Sequence, residues 1–194
     1  MIALLKLKRL ENLHKNIYDF NYLSDNFVHK SWLSDINYQN IKKNMYNDDK
    51  DVWLKFASLP INTFYNVLEY AVLILLLESK LINISGKTMR ILHQKYSEYK
   101  IQHTKKMIAT ISFDYTLPEL NIIQEDNFFS MSGLHILMSA IASTNIAIQT
   151  RMNMRFNKNE IVDSKIAIFW DKYPTNTIKN AIISSASFLC ANYY

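Results

Sequence analysis

Glycine and proline are scarce in this chain of 194 residues, which contains 2 glycines and 3 prolines. Tight β-hairpin turns need residues that adopt positive φ angles, and glycine does so without steric cost. Only asparagine and aspartate remain to supply such turns in quantity. The scarcity therefore favours long helices over a sheet of short hairpins, and it excludes a nucleophile elbow, which needs two glycines close together around a serine.

Cysteine occurs once, at Cys190. A single cysteine excludes an internal disulfide and favours a reducing compartment. It is flanked by Leu189 and Ala191, which predicts a packed thiol rather than a reactive one. Residues 1–10 carry a short apolar run before the first lysine and lack the apolar region of a signal peptide. We therefore expect a cytoplasmic protein.

Metal-binding and phosphate-binding motifs are missing from the sequence. The five histidines lie at His14, His29, His93, His103 and His135, with no pair at i, i+4 and no cysteine cluster beside them. The usual zinc spacings are therefore absent. The triplet Gly86-Lys87-Thr88 ends like a P-loop, but Leu81 stands where that motif requires glycine, so a helix cap is the simpler interpretation. We predict no metal, no cofactor and no enzymatic activity.

Apolar residues are abundant, at 49% of the chain, which is enough to fill one complete core. They are most concentrated from Ile61 to Leu77. Wound as a helix, this stretch has one polar stripe, formed by Asn62, Asn66 and Glu69, and from Tyr70 onward it is apolar on every side. It therefore predicts a central core helix. Those polar residues would be costly in lipid, so we expect no membrane span.

The overall pattern predicts a mainly α fold, an irregular helical bundle of about six to eight helices in a single domain. The domain covers residues 1–194, with short helices in 1–59, two long helices in 60–107 and further helices in 130–194. A small β-hairpin or short strands between residues 108 and 170 are the alternative. Residues 146–156 alternate as a strand would, yet they also continue an uninterrupted helix from Leu134, and the scarcity of glycine favours helix.

The second long helix is predicted from Lys87 to Met107. Its buried stripe comprises Met89, Leu92, Tyr96, Tyr99, His103 and Met107. Its opposite, exposed face comprises Lys87, Arg90, Ile91, Gln94, Glu98, Ile101 and Lys105.

Basic residues concentrate on this helix. Residues 87–106 contain six lysines and arginines against one acid, Glu98, which matches the formal net charge of +5 for the whole chain. Such a face is either simply solvated or meets phosphate, acidic lipid or an acidic protein. All its cations except Arg90 are lysines, which lack the bidentate fork used in base recognition. Ile91 and Ile101 lie among these charges, opposite the buried stripe, so either another element covers them or they form the apolar centre of a polar-rimmed contact surface.

A short element near the N-terminus gives a different indication. The hexapeptide from Arg9 to His14 resembles the Arg-x4-His element of the HEPN ribonucleases, all-helical proteins in which this pair acts on RNA. The match covers two residues, and Leu10 stands where that family usually has a polar residue. The resemblance implies an RNA-processing role for Arg9 and His14.

Taken together, these features predict a non-catalytic protein that binds another protein and neutralises or modulates it, as a toxin-immunity protein or an antitoxin does. The exposed face of the second long helix is the predicted contact surface, and the acidic segment from Asp114 to Asp126 is another candidate. A helical nucleic-acid-binding or RNA-processing protein is the first alternative. A phage or viral host-interaction protein is the second.

Overall fold

The computed structural model describes residues 29–32, 52–57, 59–78, 86–108, 127–144 and 146–190. Every element within these ranges is helical, which confirms the mainly α prediction. A short 3-10 helix, Lys30–Trp32, is followed by α1 (Val52–Ala57), α2 (Ile61–Glu78), α3 (Gly86–Lys95), α4 (Glu98–Ile108), α5 (Phe128–Ile141), α6 (Ile146–Asn153), α7 (Ser164–Trp170) and α8 (Thr175–Leu189). The Arg9 to His14 element and the acidic segment 114–126 lie outside the described residues.

The chain divides into two compact units. The first comprises residues 1–64, 141–160 and 186–194, and the second comprises residues 65–140 and 161–185. A single domain over residues 1–194 stays a prediction.

Helix α2 forms where the apolar run predicted it. Pro60 precedes its first residue, and the Pro60 carbonyl accepts the Phe64 backbone N–H at 2.9 Å, so the helix begins as its proline position indicates. Asn62 and Asn66 are exposed, whereas residues 70–77 are all buried. The second half of α2 is thus surrounded by protein on all sides, as its pattern required.

Close packing in the second unit brings α5 against α2. Gly133 of α5 faces Leu68 of α2 so closely that a Cβ atom at residue 133 would lie 3.3 Å from the Leu68 Cβ. A larger side chain there would push the helices apart. Helix α5 also contacts α7. The Trp170 indole N–H donates to the Ser132 hydroxyl oxygen at 2.8 Å, and both residues are buried.

Helix α3 ends and α4 begins inside the predicted second long helix, so the single helix from Lys87 to Met107 is wrong. The break lies at Tyr96 and Ser97. The Ser97 hydroxyl accepts the Lys100 backbone N–H at 3.3 Å, and the Ser97 carbonyl accepts the Ile101 N–H at 3.2 Å. Serine thus acts as the N-cap of a new helix, with Glu98 in its first turn where an acid favours the helix dipole.

A second break separates α5 from α6, so the uninterrupted helix from Leu134 to Phe156 is also wrong. The Thr144 hydroxyl donates to the Ile141 carbonyl at 2.7 Å, which stops α5. The Gln149 amide then donates to the carbonyls of Ala142 and Thr144, at 3.1 and 3.0 Å. These bonds satisfy carbonyls that a helix end leaves exposed.

Residues 146–170 form two short helices joined by a loop, which answers the question of helix or hairpin in favour of helix. The Asp163 carboxylate accepts the Lys165 N–H at 2.7 Å and caps α7. The helical pattern of this segment predicts that Val162, Ile166, Phe169, Trp170 and Tyr173 pack together; the last four are buried, whereas Val162 precedes α7 and is partly exposed. Pro174 follows the segment, and α8 begins at Thr175.

Candidate functional site

The predicted contact face of residues 87–105 divides into three groups. Arg90, Gln94 and Glu98 are exposed, and Ile91 and Lys105 are partly exposed. The side chain of Lys87 lies outside the described part of the structure. Ile101 is 0% exposed, so its placement on an exposed face is wrong. Partner binding by the remaining residues stays a prediction.

The cause of this error is the helix break at Ser97. A continuous helix would have kept Tyr99 in line with buried Leu92 and Tyr96. Because α4 starts afresh, its inward face instead carries Ile101 and Thr104, both 0% exposed, and Tyr99 is 73% exposed. An aromatic ring therefore occupies the exposed face where the sequence had predicted an isoleucine. The Ser-Glu pair at 97–98 is the signal that could have indicated this.

We call the exposed residues on one side of these helices the α3–α4 surface. It comprises Arg90, His93, Gln94, Glu98, Tyr99, Gln102 and Lys106. At 100° per residue, the members from each helix fall within one face of that helix. His93 Nδ1 lies 2.8 Å from Glu98 Oε2, so a direct contact links the two faces.

Glu98 is the one acid between residues 86 and 108, and both its oxygens are engaged within the α3–α4 surface. His93 contacts Oε2, and the Gln102 amide donates to Oε1 at 2.6 Å. Exposed pairs of this kind contribute little to stability, about 0–1 kcal/mol. Their main consequence is that this carboxylate is already hydrogen-bonded on a surface that otherwise carries cations.

Two of the six basic residues of this segment make contacts within the second unit, the exposed Lys95 and the partly buried Lys100. Lys95 Nζ lies 4.5 Å from the centre of the Phe129 ring. Lys100 Nζ lies 2.6 Å from Glu69 Oε2 and also sits over the rings of Tyr70 and Tyr96, at 4.7 and 5.0 Å. The sequence alone predicts that these two ammonium groups lie on a solvated face, whereas in the structure they make cation–π and ion-pair contacts.

Tyr96 is the buried group in this region whose ionisation is most strongly affected. Burial raises the pKa of its phenol, and the nearby charge of Glu69 raises it further. Its hydroxyl has no hydrogen-bond partner within the described part of the chain. A buried hydroxyl without a partner is costly, so this ring serves packing rather than proton transfer.

Replacing Tyr96 with phenylalanine is expected to leave the free energy of unfolding unchanged at pH 7 or to raise it by up to about 1 kcal/mol. Above about pH 10 the unfolded chain releases the phenol proton while the folded chain keeps it, so wild-type stability falls and the advantage of the variant grows. Urea unfolding at pH 7 and pH 10.5 measures both effects. The exposed Tyr99→Phe variant is the control, and a Tyr96→Phe variant that is clearly less stable at both pH values would contradict the expectation.

His135 and Asp171 form a contact between α5 and the end of α7. His135 Nε2 lies 2.9 Å from Asp171 Oδ1. From their positions on apolar helix faces, the sequence indicates that His14, His103 and His135 are core residues bonded to backbone or hydroxyl groups. For His135 the partner is a carboxylate, His103 packs its ring against that of Tyr99 at 5.4 Å, and His14 lies outside the described residues. The His135–Asp171 contact links α5 to the end of α7. The hydrogen bond from Trp170 to Ser132 is a second link between the same two helices.

In the first unit, a histidine and a serine fasten the 3-10 helix to the loop after α6. His29 Nδ1 lies 2.8 Å from the Ser31 hydroxyl, which also accepts the Lys158 backbone N–H at 2.9 Å. The Trp32 indole N–H donates to the Phe156 carbonyl at 2.9 Å. Because the hydroxyl joins two backbone segments, we interpret this pair as structural.

Cys190 is 2% exposed, and burial raises the pKa of its thiol. Its backbone N–H donates to the Ala186 carbonyl at 2.8 Å, so the residue continues the last turn of α8. The sequence-based prediction of a packed thiol is confirmed.

Alkylation of Cys190 by iodoacetamide at pH 8 is expected to be at least roughly tenfold slower in the native protein than in guanidinium, because the reactive thiolate is both buried and rare. Mass spectrometry of timed samples measures the two rates. Equal rates in the two conditions would mean that the thiol is accessible in the native state.

The described ranges hold no group of three or more histidine, cysteine or acidic side chains placed to bind a metal ion. Of the helices described, none has the length and apolar character needed to cross a membrane. No family model, curated protein or solved structure matches the chain.

Proposed function

We propose that this protein is a non-catalytic binding protein that attaches to another protein through the α3–α4 surface and blocks or modulates it. The observation that supports this proposal is Tyr99, an aromatic ring 73% exposed on a helix on which Ile101, two residues later, is buried. Tyrosine and arginine are enriched among the residues that dominate protein interfaces. Tyr99 and Arg90 provide one of each.

The surroundings of Tyr99 have the arrangement expected of an interface. Gln102 and Lys106 are exposed one and two turns after Tyr99 on the same side of α4, and Arg90 is exposed on α3. A central aromatic anchor inside a polar rim is the usual organisation of a specific contact. A solvated helix face, in contrast, needs no aromatic residue at its exposed side.

The surface is also held firmly in place. Lys100 links α4 to α2 through Glu69 at 2.6 Å, and its Nζ lies over the rings of Tyr70 and Tyr96. The His93–Glu98 contact at 2.8 Å joins α3 to α4. A surface that is ordered before binding loses less entropy when a partner arrives. This rigidity favours a protein that acts by occupying a target.

A nucleic-acid partner is supported less well by the same contacts. Each phosphate contact requires a cation that can reach the backbone, and affinity for nucleic acid follows the number of such contacts. The Lys100 ammonium is paired with Glu69 and is partly buried. One fewer cation is therefore available for phosphate than the sequence indicates.

Within the class of binding proteins, we propose a toxin-neutralising role of the immunity or antitoxin type, acting in the cytoplasm. A blocking protein needs a complementary rigid surface and no catalytic group, and the α3–α4 surface meets that requirement. The single buried cysteine suits a reducing compartment.

Affinity capture tests this proposal. The tagged protein is incubated with lysate of the cells that naturally contain it, with and without nuclease, and the eluates are analysed by mass spectrometry. We expect one stoichiometric protein partner that remains after nuclease treatment. Loss of every partner after nuclease, with nucleic acid in the untreated eluate, would contradict the proposal and favour a nucleic-acid-binding function.

A further inference from the structure

We infer that the α3–α4 surface binds an acidic segment of its partner protein, one that also presents an apolar side chain to Tyr99. This inference rests on the function proposed above and adds the chemistry of the partner. Three features of the surface support it: its charge, the hydrogen bonds that Glu98 makes, and the spacing of Tyr99 and Lys106 along α4.

The α3–α4 surface carries more cations than carboxylates, Arg90 and Lys106 against Glu98. Arg90 and Lys106 are exposed on α3 and α4. Glu98 already receives His93 on one oxygen and Gln102 on the other, at 2.8 and 2.6 Å. An approaching basic segment would meet like charge, whereas an acidic segment would meet complementary charge.

The spacing along α4 adds a geometric requirement. Tyr99 and Lys106 are seven residues apart, so they lie on nearly the same side of the helix and about 10 Å apart along its axis. In a partner, the apolar side chain that contacts Tyr99 and the carboxylate that contacts Lys106 would therefore be about three residues apart in an extended segment, or two turns apart in a helix. The ring of His103, 5.4 Å from that of Tyr99, lies between them in sequence and supports the aromatic end of this row.

The aromatic end distinguishes an acidic peptide from a purely electrostatic ligand. A polyanion without apolar groups would use Arg90 and Lys106 and leave Tyr99 in water. Burial of the Tyr99 ring instead requires a partner with apolar surface, and its hydroxyl keeps a polar group at the rim. The combination of cations and an exposed ring thus indicates an acidic protein segment with an apolar anchor.

Photo-crosslinking tests this inference. A benzophenone amino acid is placed at Gln102, one turn from Tyr99, and at the exposed Lys165 of α7 as a control site. After irradiation in the lysate that naturally contains the protein, crosslinked peptides are sequenced by mass spectrometry. We expect the probe at residue 102, and not the probe at residue 165, to label a segment with excess aspartate and glutamate and at least one apolar residue.

Charge reversal completes the experiment. The double variant Arg90→Glu/Lys106→Glu in the residue-102 background is expected to reduce the crosslink yield at least about tenfold, whereas the matched double variant Lys165→Glu/Lys172→Glu keeps it. Crosslinking to a segment without acidic excess, crosslinking to nucleic acid, or an unchanged yield after reversal would overturn the inference. If no protein is labelled at residue 102, the proposed function itself fails.

Discussion

Replacing Arg155 with methionine is expected to lower the free energy of unfolding by about 3 kcal/mol, because its guanidinium makes buried hydrogen bonds to backbone carbonyls. Arg155 is 1% exposed and its guanidinium donates to the carbonyl of Ala57 at 3.1 Å and to the carbonyl of Leu59. The guanidinium also stacks on the Phe64 ring, 4.6 Å from its centre. One side chain therefore secures the end of α1 and the start of α2 within the first unit.

The expected loss follows from those two carbonyls. Without Arg155 they lose their donors in a buried place, and each such group costs about 1–3 kcal/mol. Methionine fills part of the space and avoids burying a charge, which offsets some of the loss. Lysine keeps the charge but has no planar fork, so Arg155→Lys is expected to cost about 2 kcal/mol.

Equilibrium urea unfolding followed by circular dichroism measures these effects. The matched control is Arg90→Met, which removes an exposed arginine and is expected to change stability by less than about 0.5 kcal/mol. If Arg155→Met were as stable as the wild type, the guanidinium would not be holding α1 and α2 as described.

The second large effect concerns the break between α3 and α4. Ile101→Asp is expected to lower the free energy of unfolding by at least about 4 kcal/mol, because it places a carboxylate where the side chain is 0% exposed. Tyr99→Asp changes a residue that is 73% exposed and is expected to cost less than about 1 kcal/mol. A continuous helix through Ser97 would reverse this order, since Tyr99 would be buried and Ile101 exposed.

Thermal and urea unfolding of the two aspartate variants distinguishes these arrangements directly. Both variants introduce the same residue into the same helix, two positions apart, so differences in helix propensity nearly cancel. A greater loss for Tyr99→Asp than for Ile101→Asp would contradict the helix break at Ser97.

The parts of the fold that could be predicted from sequence are those set by many residues at once. Helix α2 was predicted to within one residue at its end because a long apolar run has few alternatives. The breaks before α4 and after α5 depend instead on single side chains, Ser97, Thr144 and Gln149. One hydrogen bond at a helix end is enough to change which residues of the next helix face the core, and hydrophobic periodicity does not detect it.

Arg155 could not have been predicted as a structural centre for a related reason. In sequence it alternates with apolar residues and reads as the polar side of a strand or helix. Its bonding partners, Ala57 and Leu59, lie 98 and 96 residues earlier in the chain. The need to bury a guanidinium arises only when α1, α2 and the loop after α6 are packed together.

The contact surface predicted on residues 87–105 stays a prediction, and the structure changes which of these side chains are exposed. Sequence analysis placed a polar-rimmed contact surface on residues 87–105 with Ile91 and Ile101 at its centre. In the structure Tyr99 takes the exposed position that had been assigned to Ile101. The sequence also did not predict that the Lys100 ammonium is paired with Glu69 and lies over the Tyr70 ring.

The most direct test of the central claim compares how two single variants capture the protein partner. Tyr99→Ala removes the exposed ring of the α3–α4 surface, and Ile168→Ala removes a residue of α7 that is 63% exposed. Titration of the partner against wild type and both variants measures the affinities. We expect Tyr99→Ala to weaken binding at least about thirtyfold, as loss of an aromatic anchor does, and Ile168→Ala to leave it unchanged. Equal affinities for wild type and Tyr99→Ala would contradict the α3–α4 surface as the binding site.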